Sequence, residues 1–276
     1  MVNALKTPML AVLKRIGLYD RVKASRLYDV YWTIADKRVI EARRAELAFY
    51  RQHLRGFRAG DLIFDIGANQ GYKTDLFLRL GATVVAIEPD FHSQLVLKRR
   101  FLSYRLSRPR VTVSGVAVSD HDGIATMWLD APGSAKNTLN EKWVDVLRHD
   151  AQRFGAPLSF STQQQVETTC LETLIRRYGE PFFIKIDVEG HEPRILHGLH
   201  RPVRYLSFEV NLPEFRSEGQ TCIELLGRLA PRGRFNYAID CRHGFALDNW
   251  VDKKRFLSAF SQCMQPSVEI FWSAGD

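Results

Sequence analysis

The sequence predicts an α/β fold built on a mainly parallel sheet, and three observations predict it. Short apolar runs alternate with helix-like stretches from about residue 61 to residue 210, a pattern that right-handed crossovers satisfy. A glycine-bearing segment, Asp65-Ile66-Gly67-Ala68-Asn69-Gln70-Gly71, joins the first run to the first helix of the series. The run Phe182-Phe183-Ile184-Lys185-Ile186-Asp187, apolar but for one lysine, has the character of a strand buried on both faces.

Taken in order, residues 9–18 set Met9, Leu10, Leu13 and Ile16 near one helical face, with Pro8 in the first turn. Asp20 to Tyr50 continues as helix with Leu27, Val30, Tyr31 and Ile34 on one stripe, and Glu41 to Arg55 extends it to a stop at Gly56. Residues 1–58 are therefore expected to form a helical appendage, and residues 59–276 the main domain. Strand 1 is expected at Asp61 to Ile66 and its helix at Tyr72 to Leu80. Strand 2 follows at Thr83 to Glu88 with a helix from His92 to Tyr104, and strand 3 at Val111 to Val118. Ser119-Asp120-His121-Asp122-Gly123 reads as a turn into a hairpin excursion, Ile124 to Leu129. Residues 130–163 are irregular, with a short helix from Trp143 to Arg153, and are expected to be a substrate-side insertion. A short strand at Val166 to Thr169, a helix at Leu171 to Tyr178, the run ending at Asp187 and a helix at His191 to Leu199 come next. Tyr205 to Val210 is a fifth strand of the main series, and Thr221 to Leu229 a helix. Phe235 to Asp240 and Val268 to Trp272 close the sheet as an antiparallel pair. Phe256, Phe260 and Met264 are expected in the core on helical spacing.

The chain has 276 residues, enough for one large domain and an appendage. No apolar run approaches the ~20 residues of a membrane span, and Lys6, Lys14 and Arg15 interrupt any signal-peptide pattern. Its four cysteines lie far apart without a C-x-x-C, which argues against a zinc cage or disulfide framework and for a cytoplasmic setting. The net charge is +8; residues 1–60 hold 13 Lys/Arg against 5 Asp/Glu, so the rest of the chain is balanced. A basic, amphipathic N-terminal segment suits peripheral contact with an anionic membrane; the alternative is a solvated or domain-packing helical face.

The chemistry centres on the glycine turn. There is no G-x-x-x-x-G-K-[ST] and no G-x-G-x-x-G, so neither a phosphate cradle nor a dinucleotide fingerprint is present. An acid, Asp65, precedes the first glycine, and a second, Glu88, ends the next apolar run. The second acid suits a ribose diol, and the first suits an ammonium and a sulfonium. S-adenosylmethionine has all three groups.

Asp65 to Gly71, Glu88-Pro89, Ala117-Val118-Ser119-Asp120 and Ile186-Asp187-Val188-Glu189-Gly190-His191-Glu192 occur in that order. This ordered set resembles the FkbM family of S-adenosylmethionine-dependent methyltransferases, over roughly residues 61–210. The resemblance implies a class I methyltransferase fold, Rossmann-like, with a seven-stranded, mostly parallel sheet and an antiparallel last strand. It implies O-methylation of a glycan, glycolipid or secondary-metabolite hydroxyl. Expected cofactor-binding residues are Asp65, Gly67, Ala68, Asn69, Gly71, Glu88, Pro89, Ala117, Val118 and Asp187.

Methyl transfer to an alcohol needs alignment and a base. Asp187, Glu189 and His191 are the candidates, His191 for its unperturbed pKa. A Mg²⁺ site from Asp187, Glu209 and Asn211 competes, but Glu-x-Asn is not the adjacent acid–amide pair of metal-dependent O-methyltransferases, and no metal is expected. A small-molecule or glycan acceptor is the expected partner. Nucleic acid is not expected, because no N-P-P-Y-type tetrad or aromatic–basic platform is present. Two alternatives are a non-catalytic module of the same fold binding acidic glycan or membrane, and an RNA methyltransferase.

Overall fold

A computed structural model describes residues 37–106, 110–149 and 158–275. The expected helices before residue 37 and most of the basic segment lie outside these residues. The first described element is α1 (Lys37–His53). There follow β1 (Leu62–Ile66), α2 (Tyr72–Leu80), β2 (Thr83–Ile87), α3 (Phe91–Arg100), α4 (Leu102–Leu106) and β3 (Val111–Ser114). Then come β4 (Ala117–Ser119), β5 (Gly123–Leu129), α5 (Glu141–His149), β6 (Thr162–Cys170), α6 (Leu171–Tyr178) and β7 (Phe183–Ile186). The chain continues through α7 (Glu192–His197), β8 (Tyr205–Asn211), α8 (Arg216–Leu229), β9 (Arg234–Ala238), α9 (Lys253–Ser261) and β10 (Ser267–Ser273).

The main sheet has seven strands in the order β3-β2-β1-β7-β8-β10-β9. Neighbours from β3 to β8 are parallel, and β10 is antiparallel to both β8 and β9. This is the α/β architecture expected. Helices cover both faces, so strand residues are apolar on both sides. Phe64 and Ile66 join one buried cluster and Ile63 the other, as the two-residue period of a strand requires. The strand order reverses beside β1, where β2 lies on one side and β7 on the other. That reversal opens a crevice at the carboxyl ends of the strands.

Helix α1 packs directly on this sheet. Tyr50 is fully buried, its ring centroid 5.3 Å from that of Phe77 and 6.0 Å from that of Phe183. Phe49 packs edge-on against Phe245 and Phe271.

Four expectations need correction. The run Val111 to Val118 is two strands in two sheets, since β4 leaves the main sheet and pairs in parallel with β6. The break falls at Gly115, where the Gln94 side chain occupies the space a Cβ would take, 2.7 Å away. The segment Ile124 to Leu129 does not fold back as a hairpin on the strand before it. Its partner is β6, which lies between β4 and β5 and runs from Thr162 rather than Val166. Met264 is exposed, just past the end of α9, whereas Phe256 and Phe260 are buried as expected. The helix expected from His92 also breaks at Phe101, into α3 and α4.

Candidate active site

The site begins at the turn after β1. Gly67 has φ +77°, and a Cβ there would lie 1.8 Å from the Asp187 carbonyl oxygen, so the turn and the end of β7 approach as only glycine permits. The Gly67 and Ala68 amides both donate to the Ile87 carbonyl, at 3.0 and 3.1 Å, tying the turn to β2. Glu88 stands just beyond. Its two carboxylate oxygens accept from the Asn69 and Asp90 amides, each at 2.8 Å. Burial pushes its pKa up to about 7, although these two amides pull the other way.

These elements wall a crevice lined by Gly67, Asn69, Glu88, Pro89, Ala117, Val118, Asp187, Glu189 and His191. An adjoining cavity of about 420 Å³ shares Gly67, Asn69 and Asp187 and adds Asp65 and Ala68. All the expected cofactor-side positions except Gly71 thus border one or other space. Gly71 sits behind the turn, where its missing side chain makes room for Leu97 and Phe101. Asp65 is buried, and its carboxylate accepts from the Thr74 hydroxyl at 2.5 Å. Burial raises its pKa, while the Lys185 charge and the Thr74 hydrogen bond oppose the rise.

The insertion after β5 covers part of the crevice. Thr138 pairs with Trp128, and its hydroxyl donates to the Glu189 carbonyl at 3.0 Å. The Asn140 amide donates to the Gly190 carbonyl, and the Asn137 amide to Asp90 at 3.1 Å. Trp143 is buried with its ring 5.2 Å from that of Phe215. The insertion contributes Ser134, Asn137, Thr138 and Leu139 to the crevice wall.

Past Asp187 the chemistry changes. A cavity of about 390 Å³ meets the crevice there and is lined by Tyr72, Lys73, Lys185, Glu209, Ser267 and Glu269, among others. Lys185 donates to Asp187 at 2.8 Å, and Ser267 donates to Glu209 at 2.6 Å. Lys73 donates to Glu46 at 2.6 Å and lies 3.4 Å from Glu269. Asp187 and Glu209 both line this cavity; the Asp187 charge, and then burial, push the Glu209 carboxyl up to about 8. Burial and the same two acids raise Glu189 well above the carboxylate range.

His191 points to the crevice, not to this cavity. Its Nε2 lies 3.1 Å from the Ser119 hydroxyl, and burial, helped by Arg194, lowers its pKa to about 4. Asn211 donates to Glu189 at 3.4 Å.

Lys185, Glu269, Lys73 and Glu46 were not singled out from sequence. A signal existed for two of them. Lys185 and Glu269 each interrupt an apolar strand run, and a charge inside a covered sheet requires a partner. Lys73 and Glu46 sit on helices, where a charged side chain is ordinary and gives no such warning.

The residues present fit S-adenosylmethionine. Both Glu88 oxygens retain a lone pair for ribose hydroxyls after accepting the two amides. The side-chain-free Gly67 lets a ligand approach backbone, and acids flank the path toward Asp187.

The profile of the Methyltransferase FkbM domain matches residues 65–233. No curated protein sequence matches the chain. Among solved structures, similarity extends to an FkbM methyltransferase from Methylobacillus flagellatus KT, with 17% identity and a TM-score of 0.48 over 80% of this chain. The aligned part is 46% of that protein, so this chain spans less than half its length. A TehB-like SAM-dependent methyltransferase from Corynebacterium glutamicum is 11% identical, with a TM-score of 0.41 over 83% of this chain and 86% of that one. A SAM-dependent methyltransferase from Agrobacterium tumefaciens is 10% identical, with a TM-score of 0.42 over 85% and 62%. The profile match spans more than half of the chain and runs from Asp65 through the whole Asp187 to Glu192 segment, and on that ground the chain belongs to the FkbM family of S-adenosylmethionine-dependent methyltransferases.

Proposed function

We propose that this enzyme transfers the methyl group to a hydroxyl oxygen of a polyhydroxylated acceptor: a glycan, a glycolipid or a hydroxylated secondary metabolite. The observation that carries this reading is the polar cavity meeting the cofactor crevice at Asp187. Its walls alternate carboxylates, ammonium groups and hydroxyls. Such walls can accept from and donate to many hydroxyls at once. They would be a poor bed for an apolar acceptor.

The bound cofactor supplies a methyl group on a positively charged sulfur. The protein's work is then alignment and removal of one proton. We assign the proton to the Asp187–Glu209 pair. Asp187 borders both spaces, and Lys185 holds one of its oxygens. As the acceptor oxygen would bond to the methyl carbon and the carbon-sulfur bond would break to leave a neutral thioether, the hydroxyl proton would pass to the carboxylate pair. His191 is a weaker candidate, because it faces the crevice and its pKa is low. Glu189 has its backbone fixed by Thr138 and serves the turn.

Transfer of radiolabelled methyl from S-adenosylmethionine to a panel of free and lipid-linked glycans tests the reading. Asp187→Asn should lower kcat by roughly 10²- to 10⁴-fold. Glu209→Gln should remove a rise in rate centred near pH 8, the value to which Glu209 is pushed. Transfer confined to nitrogen or carbon acceptors would overturn the assignment to hydroxyls.

A further inference from the structure

A further cavity lies at the opposite ends of the strands of the main sheet. Tyr205 opens β8, Arg234 opens β9 and Ser273 closes the reversed β10, and the three stand side by side in register. Around them is a space of about 520 Å³, walled by Arg55, Arg232, Arg234, His53, Tyr205 and Trp250, with no Asp or Glu among its described lining residues. Glu88 and Asp187 stand at the other ends of their strands and do not border it.

The three arginines are exposed, and no ion pair among the described residues engages them. Asp252 feels the charge of Arg234, but its carboxylate is committed to the start of α9, accepting from the Arg255 amide at 3.0 Å. His53 packs between Phe49 and Phe245 with tilted rings, and burial, together with Arg55, lowers its pKa. It therefore contributes a neutral ring near neutrality. Tyr205 and Trp250, with ring centroids 6.5 Å apart, form an apolar wall beside the charges.

Three exposed guanidinium groups that converge on one cavity, with no carboxylate among its described lining residues, suit a multivalent anion. A carboxylate presents its two oxygens in one plane and is satisfied by a single guanidinium fork, whereas a phosphate presents oxygens on several sides and carries more charge. The ring wall adds contact for the group that carries it. We propose that this cavity is a binding site for a phosphate ester, separate from the methyl-donor crevice. The phosphate can belong to a soluble ester or to a lipid headgroup. The inference does not depend on which acceptor is methylated.

Full-length protein is titrated with inorganic pyrophosphate and with a hexose 1-phosphate by calorimetry. In parallel it is sedimented with vesicles of phosphatidylcholine alone and of phosphatidylcholine with phosphatidic acid, at physiological salt. The test variant is Arg232→Ala/Arg234→Ala. All three arginines are exposed, so the fold should survive, and S-adenosylmethionine binding by the variant serves as control. Binding of a soluble phosphate that weakens about tenfold or more in the variant supports the site and assigns it to soluble esters. Pelleting with phosphatidic acid vesicles alone, lost in the variant, supports the site and assigns it to headgroups. Absence of both, or phosphate binding undiminished in the variant, would overturn it. Unchanged cofactor affinity in the variant keeps this outcome distinct from any failure of the methyltransferase site.

Discussion

Glu88 shows how one carboxylate can make cofactor binding depend on pH. Burial raises its pKa to about 7 in the free protein. Ribose hydroxyls would donate to the ionised form, so binding favours loss of the proton. Affinity for S-adenosylmethionine should therefore increase from pH 6 to pH 8 and level off above. Calorimetry across that range checks the slope, and Glu88→Gln should both weaken binding and flatten the curve. A wild-type affinity independent of pH would remove Glu88 from the ribose contact. Glu269 is shifted the other way. Burial alone would raise its pKa, but Lys73 and Lys185 outweigh it and bring the value down to about 2. A depressed carboxylate stabilises the fold above its unfolded pKa, near 4.5, and loses that contribution as pH falls toward 2. Urea unfolding between pH 5 and pH 3 should show declining stability, with a shallower decline in Glu269→Gln. These residues also mark the limit of what sequence reveals. Glu88 stands at a strand end and announces itself. Glu269 could have been suspected as a charge in an apolar strand, but its partners arrive from α2 and β7, 196 and 84 positions away.

At the scale of elements, α1 does more than append to the domain. Tyr50 fills a fully buried position against Phe77 and Phe183, and Glu46 on the same helix binds Lys73 at the rim of the polar cavity. Tyr50→Ala should cost about 3–5 kcal/mol of stability, measured by urea unfolding. A loss under 1 kcal/mol would show that α1 is not part of the cooperative unit. The parallel strands were legible because buried parallel strands are apolar without interruption, as in Thr83 to Ile87. The split between β3 and β4 was not legible. Val111 to Val118 keeps valines on both sides of Ser114-Gly115, as one interrupted strand would, and what marks the break is Gln94 packing against Gly115, a contact across 21 positions. The small sheet was hidden for a related reason. The first part of β6 is exposed and polar, with Gln163, Gln164 and Gln165 in succession, so it carries little hydrophobic period.

On the scale of the whole molecule, the sheet separates three tasks by position. The reversal beside β1 holds the cofactor crevice, the ends of β7 and β8 and the start of β10 hold the polar cavity, and the opposite strand ends carry the arginines. Asp187 is where the first two meet. None of the described helices is long and apolar enough to cross a membrane. The central claim is that methyl donor and acceptor meet at Asp187. A crystal structure of the enzyme with S-adenosylhomocysteine tests it most directly. The account predicts the ribose hydroxyls within hydrogen-bond distance of Glu88 and the sulfur directed past Asp187 toward the cavity bearing Glu209 and Ser267. A ligand with its ribose away from Glu88, or with its sulfur turned from that cavity, would contradict it.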